Sequence, residues 1–252
     1  NFVLNLNHQK DFRAIETILN KKWSIFAVSS SISQKVLSPI QSAKYVTCQP
    51  KELSSLWLQG EIANFTYLLL LNRLGKRLTC DMTQYPVFPW LLSCFKQDTE
   101  DFNEILNDKS NFRDFSLPIG QINPERTGKF DETFKMSRGE YYYGSHYMHF
   151  AVVLFYLYRI DPFSFHFFIF NKGWDHPSRM FFNVSKAWAT SLESPLDLKE
   201  IVPQFFCLPE MFEKSDSLFP EKADNEIVLP RWAKNPRDFT NKMLKLLESD
   251  HI

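Results

Sequence analysis

The residues with chemistry to offer are thinly spread along this chain. Ser145-His146 places a nucleophile beside a base, and with an aspartate from elsewhere they would suit a hydrolase. Adjacent residues on one helix point about 100° apart, however, and no GxSxG nucleophile elbow occurs, so the residues read as a core histidine bonding locally. His146 and His149 stand three apart and would share a metal with His176 or Asp175. A structural site needs four ligands, and the fourth is not evident. Lys76 follows a lone Gly75 without the remaining residues of a phosphate loop.

Charged residues also sit beside large apolar ones in Arg113-Asp114, Arg159-Asp161 and Asp175-Arg179. These read as buried pairs that fix irregular backbone in one arrangement. With Gln84 and His146 they form the expected structural polar core.

What must be held is unusual. In DMTQYPVFPW (81–90), Tyr85, Val87, Phe88 and Trp90 ask to be buried, while Pro86 and Pro89 would each remove a ladder or helix hydrogen bond. Together with FRDFSLPIG (112–120) this predicts core segments that are neither helix nor strand. Proline suits such a path because it has no amide donor to leave unpaired. Asp81, Gln84, Arg113 and Asp114 are then the side chains expected to satisfy the remaining backbone groups of two paths lying side by side.

With 252 residues, 44% hydrophobic and 16% aromatic, including 25 Phe against 7 Gly, the chain has ample material for a packed core. A net charge of zero supplies no general attraction to phosphate, so nucleic acid is not an expected partner. Cys48, Cys80, Cys94 and Cys207 show no CxxC spacing and read as reduced, buried thiols. The sequons at Asn64 and Asn183 fall inside expected helices and read as chance. The most membrane-like run, 150–170, is broken by Arg159, Asp161, Pro162 and His166 and does not read as a span. Asn1 opens inside an apolar-rich run, which suggests a piece of a longer polypeptide.

Phe2, Leu4 and Leu6 alternate as in a strand, and Phe12, Ile15, Leu19 and Trp23 follow on one helical face. Residues 1–25 therefore read as one strand and one helix, 26–55 as a linker, and 56–252 as the main domain. Within the latter, a largely buried helix runs from Ile62 to Asn72 and ends at Gly75-Lys76. Residues 98–111 are expected as a loop or short helix, 126–138 as a polar loop, and 141–158 as a helix stopped by Asp161-Pro162. The run 163–170 is helix or buried extended chain. Met180, Phe181, Val184 and Trp188 suggest one amphipathic face, and Leu196–Phe206 a short helix ended by Pro203. Asn235 should cap a last helix with Phe239, Met243, Leu246 and Leu247 on one side, with no stop visible by Ile252.

Taken in order, IANFTYLLLLN, DMTQYPVFPW, FRDFSLPIG, YYYGSHY, YRIDPFS, WDHPSRMF, DLKEIVPQFFCLPEMF and IVLPRWA make Trp57 to Glu248 resemble the BEACH domain of the neurobeachin and Chediak-Higashi protein family. Phe2 to Leu19 resembles the last strand and helix of the PH-like domain that precedes BEACH in that family. Where the family commonly has an Ala-Gly-Arg turn and an Asn-Asp pair, this chain has Gly75-Lys76-Arg77 and Cys80-Asp81, and Lys172-Gly173-Trp174 is one residue shorter than the family's pattern. The family's closing Trp-Ile-Asp segment does not occur before Ile252, which reads as truncation.

The resemblance implies a mostly α fold whose helices surround core segments lacking regular secondary structure. It implies a non-enzymatic scaffold of vesicle and lysosome-related or autophagy traffic, cytoplasmic and at most peripheral to membranes. Its partners would be the preceding PH-like domain, other trafficking proteins and a downstream WD-repeat domain, with no cofactor and no catalytic residues. Trp57, Asn64, Arg77 and Asp81 are the expected edge toward the PH-like piece. The competing reading is a hydrolase or lipid-modifying enzyme using His146 and nearby carboxylates.

Overall fold

The computed structural model describes residues 48–95, 99–143, 148–176, 179–194, 197–214 and 227–252. The expected PH-like strand and helix, most of the expected linker, and Ser145-His146 lie outside them. Contacts divide the chain into two units, Asn1–Leu71 and Asn72–Ile252.

In the first unit, α1 (Pro50–Leu58) begins with proline in its first turn, where the missing N–H costs nothing, and Glu52 faces the positive end of the helix dipole. The stretch read as linker therefore becomes helical at Pro50. Leu53 of α1 packs with Ile62 and Leu70, flanked by Cys48, Leu56, Tyr67 and Leu71. The Trp57 ring stacks on Tyr67 at 4.5 Å between centroids. Helix α2 (Asn64–Leu74) continues past Leu71 and ends as expected at Gly75-Lys76. The left-handed position falls on Lys76, at φ 59°, and not on the glycine beside it. The Arg77 N–H then closes the turn onto the Asn72 carbonyl at 2.8 Å.

The second unit is mostly helical, with α3 (Phe102–Asn107), α4 (Ile119–Ile122), α5 (Pro124–Met136), α6 (Phe150–Leu157), α7 (Phe163–Asn171), α8 (Val184–Glu193) and α9 (Pro236–Leu247). Short 3-10 turns at Met82–Gln84, Lys109–Asn111, Pro203–Phe206 and Pro209–Phe212 punctuate the rest. Extended chain is paired only through isolated bridges among the described residues, Phe88 with Ile201, Leu92 with Phe112 and Asn183 with Val228.

Several expected elements move. Residues 126–138 are not a loop but most of α5, because the Asn123 side chain accepts the Glu125 N–H, Pro124 opens the helix, and Arg126 and Phe130 are buried. Of the helix expected over 141–158, the described residues carry Phe150–Leu157, opened where the His149 ring accepts the Ala151 N–H. Met180 and Phe181 are buried but precede α8, since the Asn183 side chain takes the Lys186 N–H and fixes the helix start there. Asn183 is thus a cap, and Asn64 opens α2, at the two sequons. Pro203 begins a 3-10 turn where it was expected to end a helix. Helix α9 stops at Leu247, its cap residue Glu248 returning its N–H to Leu244 and Leu246. Its start is as read: Asn235 accepts the Asp238 N–H at 2.9 Å, and Phe239, Met243, Leu246 and Leu247 are fully buried.

The core is an aromatic mesh. Trp90 meets Phe95, Trp188 and Phe205, and Phe205 meets Tyr156, Phe181, Phe212 and Phe239, mostly edge to face or tilted. Trp232 stacks on Phe239 at 5.4 Å.

A left-handed lysine costs about 1–2 kcal/mol, and glycine returns roughly 0.4–1 kcal/mol of that as unfolded-chain entropy. Lys76→Gly is therefore expected to stabilise the chain by up to about 1 kcal/mol, seen as a raised midpoint in a thermal melt.

Candidate functional site

The 81–90 segment enters the interior through a 3-10 turn. Asp81 caps it, its carboxylate accepting the Thr83 N–H at 2.9 Å and the Gln84 N–H at 3.3 Å, and the bonds from Thr83 hold its pKa below the usual carboxylate range. Past the turn, Asn72 takes the place of a missing strand: its amide donates to the Val87 carbonyl at 2.9 Å and accepts the Val87 N–H at 2.8 Å. Arg77 donates to the Tyr85 carbonyl at 3.0 Å. The Tyr85 hydroxyl accepts from Gln204 at 2.7 Å, and burial pushes that phenol up to about 12.

At Trp90 the chain is held by a distant segment. Glu200 accepts the Trp90 N–H at 3.0 Å, and the Lys199 carbonyl accepts the indole N–H at 3.0 Å. Arg113 then donates to both Glu200 oxygens, at 2.7 and 2.9 Å, in an ion pair whose side chains are each only 5% exposed. Burial pushes the Glu200 carboxyl up, opposed by the Arg113 charge and the Trp90 N–H. The Arg113 N–H returns to the Leu91 carbonyl at 2.9 Å and the Ser93 N–H to Asn111 at 2.8 Å, so the two proline-bearing paths do run side by side.

Two further arginines hold backbone carbonyls. Arg126 donates to Ile119 at 2.6 Å, Ser194 at 2.7 Å and Asp197 at 3.2 Å, and Arg159 donates to Phe181 at 2.8 Å. Burial lowers the pKa of both.

Other expected members lie elsewhere. Gln84 and Asp114 are exposed, and the Asp114 carboxylate serves its own turn, taking the Ser116 N–H and hydroxyl at 2.9 and 2.6 Å. The partner of Arg113 is Glu200, not Asp114. Asp161 pairs with the Ser164 hydroxyl and not with Arg159. Asp175 and Arg179 do pair, at 3.6 Å, but the Arg179 side chain is 75% exposed, so this pair contributes little. His146 lies outside the described residues. Trp57 donates to Asn64 at 2.6 Å in the first unit, while Arg77 and Asp81 serve the turn in the second. Among the described residues, no group of three or more His, Cys, Asp or Glu is placed to hold a metal.

The sequence reading missed Glu200 and Arg126. A carboxylate directly before Ile201-Val202, in a run the alternation buries, was the available signal for the first. The Asn123-Pro124 helix start was the signal for the second.

A cleft of about 250 Å³ opens beside α6 and α8, lined by Phe155, Phe181, Lys186, Asp197 and Lys199 among others. Lys199 is engaged there, paired with Asp197 and held 4.8 Å from the centre of the Phe155 ring. The cysteines are free, but Cys80 and Cys94 are exposed where buried thiols were expected. Burial pushes the Cys207 thiol up to about 12.

Residues 55–252 match the family model described as Beige/BEACH domain. Over 237 residues the chain is 34% identical to a putative neurobeachin homolog of Caenorhabditis briggsae and equally to one of Caenorhabditis elegans, covering 90% of this chain. It spans 9% of the length of each relative.

Two outcomes are expected. Arg113→Ala leaves Glu200 buried without its counter-charge and should cost about 3–5 kcal/mol, whereas the apolar pair Arg113→Met with Glu200→Leu should cost less than that single change, as read by denaturant unfolding. In the folded chain, maleimide should modify Cys80 and Cys94 promptly and Cys207 only after denaturation, as read by peptide mass mapping.

Proposed function

The chain belongs to the Beige/BEACH domain family, and we propose that it serves as a non-enzymatic protein-interaction module within a much larger protein of vesicle and lysosome-related traffic. In this reading it works in the cytoplasm, peripheral to intracellular membranes. A PH-like domain, partly represented by residues 1–25, precedes it and docks at the edge carrying Trp57 and Asn64. WD repeats follow, and other trafficking proteins are the partners.

One observation carries the reading. The buried charges described here are engaged: Arg113 and Glu200 hold one another, Arg126 and Arg159 hold backbone carbonyls, and Lys199 pairs with Asp197. A guanidinium or carboxylate committed to fixing the chain is held away from any exchange with a substrate, and what such a core presents outward is shape. The family and the neurobeachin-like relatives agree with a module that holds partners.

Affinity purification of the full-length protein with and without residues 1–252 tests this. The segment's removal should strip a defined set of proteins from the captured material. An identical set from both forms would overturn the proposal.

A further inference from the structure

Helix α7 reads FSFHFFIFN, and of its nine residues only Ser164 and Phe167 are buried. Phe165 is 63% exposed and Ile169 59%, with Phe168 and Phe170 also open to solvent. Phe165, Phe168 and Ile169 fall at spacing i, i+3, i+4 and share one face. Beyond the helix the apolar surface continues, Phe170 meeting the exposed ring of Phe150 at 4.7 Å and Phe168 meeting half-buried Trp174 at 5.6 Å.

Area sets the kind of occupant. With the exposed fractions taken on about 200 Å² per large side chain, Phe150, Phe165, Phe168, Ile169 and Phe170 present on the order of 500 Å². Interfaces between copies of one chain are about 65% apolar, and stable ones take about 800 Å² from each side, of which roughly 500 Å² is then apolar. Exposed Asp161, His166, Asn171 and Lys172 supply the polar remainder around the ridge.

The order of charges along the ridge says which protein fits. Asp161, Phe165, Phe168, Ile169 and Lys172 stand at i, i+4, i+7, i+8 and i+11, one stripe with a carboxylate at one end, an ammonium at the other and apolar side chains between. The two charged residues lie just outside the helix, and both are exposed. Phe165 and Ile169 straddle Phe167, and Asp161 and Lys172 straddle the same point to within one residue. Such a stripe is complementary to itself when turned end for end. Two copies related by a two-fold axis through that midpoint run their helices antiparallel, lay Phe165 of each beside Ile169 of the other, and bring each Asp161 toward the other's Lys172. A parallel pair would set like charges together at both ends. Asp161 already takes the Ser164 hydroxyl, and a carboxylate has lone pairs left for a second donor. Asp175 and Arg179 pair with one another and add no net charge to the rim.

We propose that the α7 ridge pairs two copies of this chain, antiparallel about a two-fold axis near Phe167, with Phe165, Phe168 and Ile169 at the centre and Asp161 facing Lys172 at each end. Self-pairing is separate from the capture of other proteins. A chain that stays monomeric yet keeps its partners retains the scaffold role and ends this proposal.

Sedimentation equilibrium of the 252-residue chain, from micromolar to submillimolar concentration, tests the pairing. The mass should rise from 29.8 kDa toward twice that value. Phe165→Asp with Ile169→Asp should weaken association at least tenfold at an unchanged melting temperature, while Met136→Asp, an exposed apolar site on α5, should associate as the parent does. If the double variant fails to fold, Phe165→Ser carries the same expectation. Lys172→Glu alone and Asp161→Lys alone should each weaken association several-fold. Mixing those two variants should restore it, because only the mixed pair sets opposite charges at both ends. A chain that stays at 29.8 kDa throughout, a folded ridge variant that associates like the parent, or charge variants that do not recover on mixing would each overturn the proposal.

Discussion

Burying chain that is neither helix nor strand leaves its amides and carbonyls to be satisfied singly, and the buried Glu200 carboxylate meets this demand where three segments cross. One of its oxygens takes the Trp90 amide and both take the Arg113 guanidinium. Three segments are thereby held by four atoms. A charge in that position is costly to desolvate, so what the pair contributes is less free energy than a single permitted arrangement of otherwise featureless chain. Arg126 and Arg159 extend the same device, Arg126 fanning its donors onto three carbonyls and Arg159 holding that of Phe181.

The composition follows from this solution. Proline removes donors that irregular chain has no means to pair, which is why Pro86, Pro89 and Pro203 stand among fully buried aromatics. Aromatic rings then fill space that regular helix packing would otherwise fill with aliphatic ridges. Their edge-to-face contacts around Phe205 knit α6, α9 and the extended segments into one mesh. Asn72 illustrates the economy of the arrangement, since one amide at the end of α2 supplies both halves of a missing strand partner for Val87.

Much of this was legible in the sequence, for reasons that differ by residue. Tyr85, Phe88 and Trp90 announce a buried irregular path because proline spacing and apolar content conflict with both regular structures. Helix α9 is legible because Asn235-Pro236 and the Phe239 stripe agree. Helix α5 was hidden because its polar face outweighs its buried one, and the start signal at Asn123 carries less weight than composition. The Arg113-Asp114 pair was misassigned for a simple reason: neighbours in sequence suggested partners, whereas in irregular chain a charge is paired by whatever crosses it. Arg113 finds its carboxylate 87 positions away, a distance no local pattern encodes.

That separation has a bearing on synthesis. Trp90 and its acceptor Glu200 are 110 positions apart, so the aromatic interior cannot close until the ribosome has released most of the domain. Until then the earlier part emerges with its rings and the Arg113 and Arg126 guanidiniums uncovered, a state that invites chaperone attention. A nascent chain interrupted before position 200 would have no way to complete the closure, and its fate would be clearance, not a smaller working module.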